Sequence, residues 1–76
     1  MYKYTLNRDA FGKALLKKKW SPLQLALESG IADNTVYRAI RSGEVTAKTL
    51  CKIADALDVL PTDLIFENFY YKAKPN

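Results

Sequence analysis

Large and polar side chains alternate over the first residues. Tyr2, Tyr4 and Leu6 fall on one side of an extended chain and Lys3 and Thr5 on the other, the period of two that predicts a strand. The period then lengthens. Phe11, Ala14, Leu15 and the stem of Lys18 recur at i, i+3, i+4 and i+7, which predicts an amphipathic helix over 8–19. Asn7 stands at the N-cap position, Asp9 in the first turn, and Lys17, Lys18 and Lys19 at the end, each charge where the helix dipole favours it. Ser21-Pro22-Leu23-Gln24 opens a second helix: Ser21 as cap, Pro22 at the first helical position, Gln24 reaching back as capping-box partner. This helix carries Leu23, Leu25, Ala26 and Leu27 and stops at Gly30, with Ile31 following as an apolar anchor.

Asp33-Asn34-Thr35 starts a third helix, which runs to Ser42 and ends at Gly43. Val36, Ala39 and Ile40 make its buried stripe, and Tyr37, Arg38 and Arg41 point elsewhere. Thr46 caps a fourth helix with Leu50, Ile53, Ala54 and Leu57 inside. Pro61 opens a short fifth helix holding Leu64 and Ile65, poorly capped because Leu60 stands where Ser or Asp is expected. Phe66-Glu67-Asn68-Phe69-Tyr70-Tyr71-Lys72 has strand propensity and predicts an extended arm over 66–76. There is no internal repeat, low-complexity segment or long linker, and 76 residues make one small domain, 1–76.

Hydrophobic residues are 49% and charged residues 26%, the composition of a globular chain. The absence of histidine removes imidazole base catalysis and any Cys/His zinc site. No paired nucleophile and base, phosphate loop or metal cluster stands out, so no catalytic residue, cofactor or metal is expected. Cys51 is the one cysteine, so no disulfide forms within the chain. A small buried or half-buried residue is expected there, not a redox sensor. No apolar run approaches the roughly 20 residues that span a bilayer, and residues 1–8 lack the apolar stretch of a signal peptide. No membrane partner and a cytoplasmic location are expected.

The net charge is +4, and residues 1–52 hold ten of the twelve bases but four of the eight acids. A basic front and a mildly acidic back suggest a surface that meets an anion. A domain this small has little room for an interior pocket, so it is expected to bind by its outside.

Leu25-Ala26, Gly30-Ile31, Thr35-Val36, Thr49-Leu50, Ile53-Ala54, Ala56-Leu57 and Leu64-Ile65 stand at mutual spacings that each have a mechanical reason. Ala26 is small where two helices approach closely, Gly30 makes the turn, and Ile31 and Val36 pin the third helix. In this pattern Ser21–Ile65 resembles the helix-turn-helix domain of phage repressor and Cro-type (XRE-like) regulators. The resemblance implies an all-α, five-helix, repressor-like fold, with the helix-turn-helix proper at 21–42 and short extended terminal strands. It implies a third helix in the DNA major groove. Carried over, the exposed positions are Asp33, Asn34, Thr35, Tyr37, Arg38 and Arg41. Asn34 would pair with adenine and Arg38 or Arg41 would reach guanine or phosphate. Ser21 and the amides opening the second helix would hold a phosphate, and Gln24 is counted on the DNA-facing side. Lys17, Lys18, Lys19, Lys48 and Lys52 would add phosphate contacts.

Two positions depart from the family pattern. Pro22 replaces the glutamine usual at the start of the second helix, and Asp33 puts a carboxylate at the leading edge of the third, as N-cap or as acceptor from cytosine. Blander readings stand beside these. Lys17–Lys19 are read first as a solvated helix end and Trp20 as a core anchor, and Tyr37 is read equally as a shelter for apolar neighbours or as a base or sugar contact. Tyr2, Tyr4, Phe66, Phe69, Tyr70 and Tyr71 would cover the core or make a dimer seam, the two terminal strands pairing within one chain or across a homodimer.

The expected function is a double-stranded-DNA-binding transcription regulator of Cro or repressor type, working as a dimer at a two-fold operator. The alternative is a small phage-type modulator or antirepressor that docks on another repressor protein through the same scaffold. An enzyme has almost no support.

Overall fold

A computed structural model describes residues 3–66. Strand β1 (Lys3–Thr5) leads into helix α1 (Arg8–Lys18). Then come α2 (Pro22–Ser29), α3 (Asp33–Ser42), strand β2 (Glu44–Thr46), α4 (Ala47–Leu57) and a closing 3-10 turn, Pro61–Leu64. The chain is mostly helical but not all-α. The expected fifth helix is this single turn, because Ile65 leaves helical geometry at φ −131°, ψ 165° to bridge Leu6 as an antiparallel partner.

Local chemistry sets the helix starts. The Asn7 side chain accepts from the Ala10 N–H (3.2 Å), Ser21 Oγ from Gln24 N–H (3.2 Å) and Thr46 Oγ1 from Thr49 N–H (3.3 Å), so three first turns have a side-chain acceptor for an orphan amide. Two expected caps differ. Gln24 does not reach back; its Nε2 donates to Glu28 Oε2 at 2.8 Å, a charged acceptor one turn along the same face. Asp33 is not the N-cap of α3. Ala32 is, without a side-chain bond, and the Asp33 carboxylate accepts from the Asn34 N–H at 2.8 Å. Leu60 offers no cap, as expected, and Asp63 compensates by accepting from the Leu60 N–H at 3.3 Å.

One core joins these elements. Leu25, Val36, Ile53 and Leu64 are its largest fully buried side chains, and Leu50, Ala54 and Leu57 of α4 are buried beside them. Trp20 is partly buried against this core, with the Lys18 ammonium 5.4 Å from its ring centroid. Lys18 Nζ also reaches Asp58 Oδ2 at 3.1 Å, which ties the C-terminal ends of α1 and α4. Cys51 is exposed, contrary to expectation. It lies about 100° around α4 from Leu50, off the Leu50–Ile53–Ala54–Leu57 stripe.

The N-terminal strand has a partner that the sequence did not predict. β1 is antiparallel to β2, with Lys3 opposite Thr46, Tyr4 opposite Val45 and Thr5 opposite Glu44. Leu6 N–H continues the seam to Gly43 O at 2.9 Å, and on the other edge the Phe66 N–H donates to Thr5 O at 3.1 Å. The N-terminal segment therefore pairs with the α3–α4 connection, which buries Val45. The expected partner segment, Phe69–Lys72, lies outside the described residues, as does Tyr2.

Candidate nucleic-acid interface

The geometry of α3 begins in the turn before it. Gly30 takes φ +73°, where a Cβ would be strained, and its N–H and that of Ile31 both donate to Ala26 O at 3.0 and 3.2 Å. This closes α2 and redirects the chain within two residues. Ala32, extended at φ −60°, ψ 140°, then starts α3. Val36 and Ala39 press into the core and Ile40 is half-buried against it.

The outer side of α3 follows from the same period. Asn34, Tyr37, Arg38 and Arg41 stand at i, i+3, i+4 and i+7, one stripe along the helix, and all four are exposed. No hydrogen bond or ion pair joins their side chains to another described residue. The stripe thus presents an amide with both donor and acceptor, a phenol, and two guanidinium forks to solvent. Asp33 is exposed at its leading end and Thr35 is half-buried at its side.

Thr35 and Arg38 also line a cleft of about 220 Å³ where α3 meets β2 and the start of α4. Thr46 and Thr49 contribute hydroxyls, Glu44 a carboxylate and Lys3 a second cation. Lys3 was not a sequence-derived candidate. Its place depends on β1 pairing with β2, and alternation over Tyr2–Leu6 carries no information about the partner. Lys48 is exposed in the first turn of α4 and Lys52 one turn further.

Other candidates stand apart from this stripe. At the start of α2, Pro22 has no N–H and Ser21 Oγ already takes the Gln24 N–H, which leaves the Ser21 N–H and O–H and the Leu23 amide as donors for an anion there. The Gln24 amide is held by Glu28. Lys17 and Lys19 are exposed but sit at the far end of α1, roughly 14 Å or more along its axis from Arg8, the end that meets α3. Tyr4 is partly buried against the chain's own core, and Phe66 is 46% exposed. Tyr2, Phe69, Tyr70 and Tyr71 lie outside the described residues. Among the described residues, no helix is long and apolar enough to cross a membrane.

A family model described as helix-turn-helix matches residues 12–64, the span from α1 to the closing turn. No curated protein and no solved structure matches the chain.

Proposed function

The chain belongs to this helix-turn-helix family, and from that membership we propose that it is a sequence-specific, double-stranded-DNA-binding transcription regulator of Cro or repressor type, with α3 lying in the major groove. The observation that carries this reading is the unpartnered Asn34–Tyr37–Arg38–Arg41 stripe on a helix whose other side is buried. Asn34 pairs with adenine, and Arg38 and Arg41 read guanine or hold phosphate. Tyr37 packs on sugar or base, and Thr35 and Asp33 flank the bases at the helix start. Ser21 and the Leu23 amide, with Gln24 beside them, meet the backbone at α2. Lys48, and at longer reach Lys17 and Lys19, add phosphate contacts that position the module without reading sequence.

One such module covers only about 600–1,000 Å² of surface on DNA, so two copies reading a symmetric site are required for strong discrimination. The aromatic positions Tyr2, Tyr4, Phe66, Phe69, Tyr70 and Tyr71 supply the homodimer seam in this reading.

Selection of bound duplexes from a random pool tests the proposal. The expected result is an enriched sequence with two-fold symmetry, bound with an affinity that falls steeply as salt rises. The double substitution Arg38→Ala, Arg41→Ala should abolish the sequence preference.

A second reading is favoured by one observation. Leu23 and Leu27, one turn apart on α2, are 49% and 72% exposed, an apolar strip of the kind that docks on protein. No enriched duplex, together with weak and salt-insensitive DNA binding, would replace the first reading with a modulator that binds another repressor protein.

A further inference from the structure

We propose that Arg8 is a positioning residue for α3: it clamps the last turn of the helix to the start of α1 and so sets the direction of the outer stripe. This inference rests on the DNA-binding reading of α3 and adds to it a residue that does not touch DNA.

Arg8 is the first residue of α1, yet its side chain works on another helix. Its Nε donates to Ile40 O at 3.0 Å and its Nη2 to Arg41 O at 3.0 Å. These carbonyls belong to the last turn of α3, where oxygens lack partners within the helix and the dipole favours a cation. The two bonds come from one rigid planar fork, so they restrain roll as well as position, which a single ammonium cannot do.

Gly43 is built around the same clamp. It lies at φ +75°, and a Cβ added there would stand 3.0 Å from Arg8 Nη2. The base of the clamp is fixed too. Asn7 N–H donates to Leu64 O at 2.7 Å and Leu6 N–H to Gly43 O at 2.9 Å, so the backbone entering α1 is tied to the closing turn and to the end of α3.

Roll is the coordinate that matters for reading bases. Turning α3 by about 20° on its axis carries a side-chain tip about 2 Å at the outer radius of a helix, more than the span that separates a good hydrogen bond from none. Arg8 thereby governs where Asn34 and Arg38 point.

The test uses the full chain and the Arg8→Gln and Arg8→Lys variants, with two readouts. The first is amide hydrogen exchange. In Arg8→Gln, exchange at Arg41, Ser42 and Gly43 should rise about tenfold relative to Leu25–Gly30 of α2. A uniform rise, or none, would overturn the clamp. The second is binding to a duplex selected by the wild-type protein and to a scrambled duplex of equal length. Arg8→Gln should lose about tenfold on the selected duplex, keep its affinity for the scrambled one and keep the wild-type salt slope, with Arg8→Lys intermediate. Equal loss on both duplexes with a shallower slope would make Arg8 a phosphate ligand and overturn the proposal. Should the wild-type protein select no duplex, the DNA-binding reading fails and with it the purpose assigned to the clamp, while the exchange data separately show whether Arg8 holds α3.

Discussion

Lys19 and Asp58 end their helices in the left-handed region, at φ 62° and 59°, although each carries a Cβ that crowds its own backbone there. Lys19→Gly should therefore raise stability by about 1 kcal/mol, the cost usually attached to that conformation in an L-residue, as read from thermal melting. The same change should lower the salt slope of DNA binding by about one if the Lys19 ammonium holds a phosphate. Asn34→Ala should behave differently: a loss of about 1–3 kcal/mol in discrimination at one base pair, with the salt slope unchanged, as measured by competition between duplexes. Arg38 and Arg41 were legible in the sequence because the helical period puts them outside, as they are, whereas Asn34 came only from the family resemblance. Arg8 was not legible. In the sequence it is one more charge in a first turn, and its partners Ile40 and Arg41 are more than thirty residues away.

Helix boundaries were readable for a related reason. Asn7, Ser21 and Thr46 each act on an amide three residues ahead, a reach that local sequence contains. Thr46→Ala should thus cost about 1 kcal/mol, visible as a lower midpoint in urea with an unchanged slope. The sheet escaped because pairing is decided at a distance. Glu44-Val45-Thr46 is too short to show alternation, and Val45 is buried only once β1 lies against it. Two strands of three residues are marginal alone and persist here by packing on helices. Removing residues 1–5 should lower the melting temperature by about 4–8 °C, the equivalent of roughly 1 kcal/mol in a domain this small. Exchange should rise at Glu44–Thr46 more than in α2. Uniform exchange would mean that the strand contributes nothing local.

For the molecule as a whole, the concentration of bases in residues 1–52 points to an anionic partner, but composition holds no record of how cations are grouped. The folded chain sets Lys3 and Arg38 around one cleft, pairs Lys18 with the exposed Asp58 and leaves Lys17 and Lys19 at the far end of α1. Ending the chain at Asn68, with the Leu6–Ile65 bridge and the Phe66–Thr5 bond still inside it, should dissociate a dimer or lower the melting temperature. Unchanged sedimentation and unchanged melting would remove the aromatic arm from both roles.

The antiparallel ribbon has a practical corollary. Because Lys3 lines the same hollow as Arg38, any polypeptide joined ahead of β1 is anchored beside the proposed DNA-reading stripe. If the proposed reading holds, an affinity handle or fluorescent reporter fused at that end should weaken binding to a selected duplex in a competition assay, whereas the same fusion behind Asn76, ten residues beyond Phe66, should leave it unchanged.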